Sequence, residues 1–328
     1  MRILVAGGAG YVGSKLVPAL VEHGYDVEVV DLLWFGNHLP ASVPVTQQDV
    51  FNCTPRDLEG FEQVVFLAGL SNDPMAEFSP AMNFVQNAAL PGYLAFIAKQ
   101  AGVRRMIYAS SCSVYGYTDN KLYDEAAPVT CPYPYGISKL LGERAALQQQ
   151  DATFSVLSLR QGTICGYSPR MRFDVIVNTM FKTAMKEGVV VVDNPSIWRP
   201  IFDIRDAVSA YLRAVQASYE LSGVFNVASG NYTVGQVADD VREEVKTRTG
   251  RDIRFDIRNK QDFRNYKVSI QKAQIELGFA PQYAVRDIVA DLFNNADKCA
   301  NYESEEYYNV KVFQRLAMTF HGPLTAQS

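Results

Sequence analysis

The chain has 328 residues, of which 48% are hydrophobic and 20% charged, and its formal net charge is −4. That length can bury a substantial core in one large or two closely packed domains, and the weakly acidic balance excludes electrostatic capture of nucleic acid or an anionic membrane. Five cysteines, Cys53, Cys112, Cys131, Cys165 and Cys299, include no close CxxC pair, so neither a disulfide framework nor a zinc ribbon is encoded and reduced thiols in a cytoplasmic setting are expected.

At the N-terminus Ile3 to Ala6 is a short apolar run with no basic leader before it, an arrangement that predicts a strand and no signal peptide. The run enters Gly7-Gly-Ala-Gly10-Tyr11-Val12-Gly13, and Leu16, Val17, Leu20 and Val21 then recur at helical spacing. Strand, glycine turn and helix together form a dinucleotide cradle, in which glycines permit a sharp turn and a close backbone approach to a pyrophosphate at the helix N-terminus. A second strand, Val27 to Val30, ends in Asp31, where a carboxylate can accept hydrogen bonds from an adenosine ribose. Leu32 and Leu33 follow in place of an arginine, which favours NAD over NADP; an acidic residue that merely ends a strand is the plainer reading.

Further strands are predicted at Val43–Val45, Val64–Leu67, Met106–Ala109 and Phe154–Leu159, with a helix at Pro91–Gln100 among the intervening segments. This alternation predicts an α/β fold with a doubly wound parallel Rossmann sheet. Ligands of such sheets sit beyond the strand C-termini, where Asp31, Ala68-Gly69 and Ser110-Ser111 fall. Tyr135-Gly-Ile-Ser-Lys139 follows Pro134 and continues into Ile137, Leu140, Leu141 and Ala145, an apolar stripe at helical spacing that places Tyr135 and Lys139 on one face. A phenol with an ordinary pKa of about 10 is a poor base at neutral pH until a nearby ammonium favours the phenolate. Lys139 can supply that charge; a buried tyrosine beside a solvated lysine is the alternative. The pair Tyr117–Lys121 runs through Thr-Asp-Asn, a turn composition, and Tyr307–Lys311 lies in a polar, tyrosine-rich tail.

From about Tyr167 the chain predicts a smaller mixed α/β cap, with strands at Val189–Val192 and Ile253–Ile257 and helices at Val234–Lys246 and Val285–Ala296. Tyr302 to Tyr308 reads as either a mobile terminal segment or part of the last helix. His23, His38 and His321 are scattered without metal-ligand spacing, so no metal is expected, and the apolar runs are too short to span a bilayer.

Gly7-xx-Gly10-xx-Gly13, Asp31, Asp49-Val50, Phe66-Leu-Ala-Gly69, Ser110-Ser-Cys-Ser-Val-Tyr-Gly116, Tyr135-xxx-Lys139, Trp198-Arg-Pro and Arg264-Asn-Tyr together resemble the extended short-chain dehydrogenase/reductase family, and within it the NAD-dependent nucleotide-sugar epimerases and dehydratases. The resemblance implies that Tyr135 is the acid/base, that Lys139 holds the nicotinamide ribose and lowers the tyrosine pKa, and that Ser111 hydrogen-bonds the reacting oxygen. It further implies that Asp49 and Val50 meet the adenine, that Ala68, Gly69 and Asn87 line the cofactor channel, and that Arg199 and Arg264 clamp a substrate diphosphate. Ser113 and Thr163 fall at substrate-contacting positions.

Departures from the pattern narrow the reaction. Cys112-Ser113 stands where 4,6-dehydratases carry an Asp-Glu pair, Thr163 where many relatives carry asparagine, and Ser71 where some carry a basic or polar residue. Cys112 is either a reactive thiol or a structural one. Arg170 and Arg172 could serve phosphates or a sugar carboxylate, or form a solvated basic loop.

The expected function is therefore C4 epimerisation of a nucleotide-diphosphate sugar through a transient ketone. The alternatives are a 4-reductase or dehydrogenase, an atypical 4,6-dehydratase, and a non-catalytic nicotinamide-sensing protein. The implied domains are residues 1–166 plus about 201–228 for NAD, and about 167–200 plus 229–328 for the substrate cap. A homodimer paired through the helices near Pro91–Gln100 and Tyr135–Gln150 is also implied.

Overall fold

In the first strand, β1 (Arg2–Ala6), successive side chains point to opposite faces, so Ile3 and Val5 enter one apolar layer while Leu4 and Ala6 enter another. The computed structural model describes residues 1–259 and 264–321, with the side chains of 119 and 317–321 outside that description. β1 belongs to a parallel seven-stranded sheet with β2 (Asp26–Asp31), β3 (Val45–Gln47), β4 (Gln63–Phe66), β5 (Arg105–Ser111), β7 (Ser155–Gln161) and β11 (Gly223–Val227), in the order β11-β7-β5-β4-β1-β2-β3. The chain builds outward from β1 in one direction and then resumes at β4 on the other side. The crevice beyond the C-termini of β1 and β4 is therefore the topological switch point.

On one face, α1 (Gly13–Glu22), α7 (Ile204–Gln216) and α9 (Gln271–Leu277) bury Leu16, Leu20, Ala210 and Leu277 against Ile3 and Val5. On the other, α4 (Leu90–Gln100) and α5 (Pro134–Leu147) contribute Leu94, Ala98 and Ala146 to the layer around Leu4 and Phe66. The short helices α2 (Asp73–Phe78) and α3 (Pro80–Phe84) follow the β4 end. A separate apolar core joins α6 (Ile176–Glu187), α8 (Val234–Thr249) and α10 (Val285–Asn294), which bury Phe181, Val241 and Leu292 around Val190 and Val192 of β9 (Val189–Asp193). β9 pairs in parallel with β13 (Arg254–Arg258). Above the crevice, β10 (Trp198–Asp203) pairs with β8 (Thr163–Cys165) and β12 (Gly230–Thr233).

Several local expectations change. The Thr-Asp-Asn stretch lies in a strand, β6 (Tyr117–Tyr123), which pairs with β14 (Asn265–Val268); Asn120 takes a positive φ of 59° and the register shifts between Asn265 and Lys267. The turn composition thus marks an irregularity inside a strand. The apolar stripe read on α5 is not its buried face. That face is Gly136, Ser138, Lys139, Gly142, Glu143 and Ala146, while Leu141 is 42% exposed. Small residues are required because a Cβ at Gly142 would stand 2.1 Å from the Asn87 carbonyl oxygen. The 302–308 segment packs on this second core, with the Tyr302 and Tyr307 rings 5.1 and 5.6 Å from that of Phe173. It leads into a final helix, α11 (Asn309–His321).

Candidate active site

The glycine turn is held by backbone contact and by Asp31. Gly7 has φ 81°, and a Cβ there would lie 2.4 Å from the Ala68 backbone nitrogen, so the turns after β1 and β4 can touch only through glycine. The Asp31 carboxylate accepts from Ala9 N at 2.9 Å and Leu33 N at 2.8 Å, while burial raises its pKa. Each oxygen keeps a lone pair for a ribose hydroxyl. A Cβ at Gly10 would meet only the Gly7 carbonyl, at 3.3 Å, so the loop backbone there remains open to a ligand. This cradle at the start of α1 fits a dinucleotide pyrophosphate.

A cavity of about 1220 Å³ covers the crevice. The glycine turn supplies Gly7, Gly10, Tyr11, Val12 and Gly13 to its lining, and the β4 end supplies Ala68 and Gly69. Ser111 comes from the end of β5, Ser113 from the 3-10 turn after it, and Tyr135 and Lys139 from α5, while Thr163, Arg199 and Arg264 complete the set. Asp31, Asp49, Val50 and Asn87 lie outside that lining. Val50 is packed in the core, Asp49 caps the following turn by accepting from Phe51 N at 2.9 Å, and Asn87 donates to the Leu70 carbonyl at 2.9 Å. Tyr11 donates to the Gly166 carbonyl at 2.6 Å and so ties the glycine turn to the segment after β8.

The Ser111 hydroxyl accepts from Ser113 N at 3.2 Å and lines the same cavity as the Tyr135 phenol. Burial pushes the phenol pKa well above its ordinary value, with the Ser111 hydroxyl and the Arg172 charge opposing. Lys139 sits one helical turn on, its Nζ 4.6 Å from the Tyr108 ring, and burial lowers its pKa to about 7 against the favourable charge of Glu143. Of the charges acting on the phenol, Asp73 opposes the phenolate and Arg172 favours it.

Ser113 Oγ lies 3.3 Å from Tyr266 Oη. Arg199 is nearly buried and donates to the Trp198 carbonyl at 3.0 Å and to the Arg264 carbonyl. Arg264 pairs with Asp73, Nη1 to Oδ2, at 2.7 Å. Cys112 is buried, donates to the Arg160 carbonyl at 3.1 Å, and has its thiol pKa pushed strongly up by burial, which marks it as structural. Arg170 and Arg172 do not form a solvated loop: they are 2% and 6% exposed and line the cavity.

Asp73, Tyr266 and Asn309 also line the cavity, and sequence reasoning did not single them out. Asn72-Asp73-Pro74 carries an N-cap signal that marks a helix start but gives no hint of the partner 191 positions away. No cluster of three potential metal ligands occurs among the described residues, and no helix among them is long and apolar enough to cross a membrane. The His321 side chain lies outside the described residues.

The family model described as NAD dependent epimerase/dehydratase matches residues 3–228. The UDP-glucose 4-epimerase of Corynebacterium glutamicum is 28% identical over 314 residues, which cover 89% of this chain and 94% of that one. Among solved structures, MoeE5 in complex with UDP-glucose and NAD is similar with a TM-score of 0.81 and 25% identity, covering 92% of this chain and 100% of its own. The Thermus thermophilus UDP-glucose 4-epimerase complex with NAD shares the fold with a TM-score of 0.77 at 23% identity, over 89% of this chain and 99% of its own.

Proposed function

The chain belongs to the NAD dependent epimerase/dehydratase family, and from that premise we propose that it is a nucleotide-sugar epimerase that inverts C4 through a transient 4-keto sugar. The observation that carries this reading is the placement of Ser111, Tyr135 and Lys139 in the lining of one cavity with the glycine turn, Arg199 and Arg264. NAD, when bound, supplies a reversible hydride acceptor.

The protein's own residues do the rest. Tyr135 takes the proton of the reacting hydroxyl and later returns it, and Ser111 holds the reacting oxygen. Lys139 holds the nicotinamide ribose, and the turn at Gly7, Gly10, Tyr11, Val12 and Gly13 with Asp31 receives the remainder of the dinucleotide. Asp49 and Val50 border the adenine, and Ala68, Gly69 and Asn87 shape the channel. Arg199 and Arg264 bind the substrate diphosphate, a role suited to the guanidinium fork, with Arg264 exchanging Asp73 for phosphate. Ser113 and Thr163 face the sugar. Residues 1–166 with about 201–228 carry the cofactor, and about 167–200 with 229–328 enclose the ketone while it turns and keep water out.

Burial of Cys112 and the hydrogen bond of Ser113 to Tyr266 leave those positions without a carboxylic acid and base, which favours epimerisation over elimination of water. The similarity to UDP-glucose 4-epimerases makes a UDP-hexose the first substrate to try. We place the enzyme in the cytoplasm as a homodimer paired through α4 and α5, whose Phe96 and Leu141 are exposed.

The test is incubation of the protein with a panel of UDP-, GDP-, CDP- and dTDP-sugars and substoichiometric NAD, read by mass spectrometry and NMR. A product of unchanged mass with inverted C4 supports the proposal. Loss of water, or a change of two hydrogens with stoichiometric cofactor consumption, replaces it with a dehydratase or a reductase.

A further inference from the structure

Arg170 is buried, yet its Nε has no hydrogen-bond partner among the described residues. Its guanidinium carbon lies 3.7 Å from the centroid of the Phe35 ring, four residues beyond Asp31, and Arg170 lines the cavity together with the glycine turn. Its Nη2 donates to Asn309 Oδ1, while its Nη1 reaches the Met171 carbonyl at 3.5 Å. Both are neutral acceptors. Among the described residues no carboxylate pairs with it directly: Asp174 pairs with Arg172 at 2.7 Å and accepts from Asn309 N at 3.1 Å, Asp31 accepts from two backbone N–H groups, and both act on Arg170 only through space. A buried cation without a directly paired counter-charge is costly, and here burial and the neighbouring Arg172 lower its pKa to about 9 against the more distant charges of Asp174 and Asp31. An anion entering the cavity on the Asp31 side would repay that cost.

We propose that Arg170 binds the pyrophosphate of NAD from the side opposite the glycine turn, and that Asn309 of α11 positions it; this rests on the reading of the cavity as an NAD site. Position decides between this anion and the substrate diphosphate. Arg170 stacks on the segment that follows Asp31, where the adenosine end belongs, whereas Arg199 and Arg264 lie together beside Asp73 and Tyr266.

Asn309 links this guanidinium to the β4 end, since its Nδ2 donates to Ser71 Oγ at 2.6 Å. Phe313, one turn along α11, packs edge-on to Trp34 with centroids 4.8 Å apart and meets Leu70 and Met75. The C-terminal helix thereby joins three borders of the cofactor cavity, and retention of NAD through a reaction that returns its hydride is the functional consequence.

The experiment is equilibrium binding of NAD, ADP-ribose and adenosine to the whole chain freed of nucleotide. Arg170→Gln weakens NAD and ADP-ribose by at least about tenfold and adenosine by less than about twofold, as loss of one charge-assisted contact requires. Arg170→Lys gives an intermediate loss, Asn309→Ala a smaller one with the same ligand selectivity, and Ser71→Lys in the Arg170→Gln background recovers NAD affinity by restoring a cation one side chain away. Equal weakening of adenosine and NAD would show a structural role and overturn the proposal, as would unchanged NAD binding in Arg170→Gln. Failure of the parent protein to bind NAD at all would instead remove the reading of the cavity itself.

Discussion

Glu143 and Arg160 form a buried ion pair directly behind the reactive wall, with Oε1 2.6 Å from Nη2 and Oε2 3.1 Å from Nε. Glu143 Oε2 also accepts from Ser110 at 2.8 Å and Ser158 at 2.9 Å, so one carboxylate joins α5 to β5 and β7. The same carboxylate, four residues after Lys139, is the charge that favours the protonated lysine. Tyr135 and Lys139 are thus aimed by a helix whose depth is fixed by a pair that never reaches the cavity.

Replacing Glu143 by Gln leaves Arg160 buried without its counter-charge. Breaking one partner of a buried pair costs about 3–5 kcal/mol. Chemical denaturation of the variant should show a loss of that order, and the remaining folded protein should turn over more slowly because Lys139 loses its supporting charge. A stability within about 1 kcal/mol of the parent would sink this account.

Tyr135→Phe removes the acid/base while leaving the glycine turn and Asp31 intact. Turnover should fall by roughly 10²–10⁴, the range of general acid–base contributions, and NAD affinity should change by less than about threefold. Steady-state kinetics beside NAD titration separates the two. Turnover equal to the parent's would remove Tyr135 from the chemistry.

Much of this site was legible before the structure because its elements are local. Gly7 to Gly13 must form a turn that side chains would obstruct, and Tyr135 and Lys139 need only one helix to share a face. What was not legible depended on distant partners. Asp73 meets Arg264 and Asn309 meets Arg170 and Ser71, contacts between segments far apart in the chain. The face of α5 was misread for a related reason: apolar periodicity marked Leu140 and Leu141, whereas close helix approach selects Gly142 and a buried polar network selects Ser138 and Glu143. For Arg170 and Arg172 a solvated loop stood level with a phosphate or carboxylate role, because charge predicts exposure unless a buried counter-charge or ligand is known.

Gly142 tests the close approach. An added Cβ would lie 2.1 Å from the Asn87 carbonyl oxygen and 2.7 Å from Tyr108 Oη. The helix must move away from backbone to accommodate it, which costs about 1–3 kcal/mol in a packed core. Gly142→Ala should lower both stability and turnover, since Lys139 lies one turn earlier on the same face. A melting temperature equal to the parent's would show that α5 has slack.

Lys139 predicts a pH dependence of stability with a defined sign. Its folded pKa is lowered to about 7 from 10.5. Below about pH 7 both folded and unfolded chains carry the proton, so folding bears the full cost of burying the charge. Between about pH 7 and 10.5 the unfolded chain binds more protons than the folded one, and this group's contribution becomes more favourable as pH rises. Lys139→Met in the nucleotide-free protein should therefore be more stable than the parent at pH 6, with the gap narrowing by roughly 2–4 kcal/mol toward pH 10. A gap that widens with pH would reverse the assignment.

The outer sides of α4 and α5 predict the assembly. The two helices approach closely enough that a Cβ at Gly92 would sit 2.9 Å from Ala145 Cβ, so their exposed residues form one continuous surface. Phe96 of α4 and Leu141 of α5 are 48% and 42% exposed, apolar side chains that a second copy of the chain would cover with self-complementary symmetry. Light scattering on the parent should give twice the chain mass, and the Phe96→Glu, Leu141→Glu double variant should give the chain mass with an unchanged circular dichroism spectrum. Because the same helix carries Tyr135 and Lys139, dissociation should also reduce turnover. A monomeric parent would show that these side chains serve another contact.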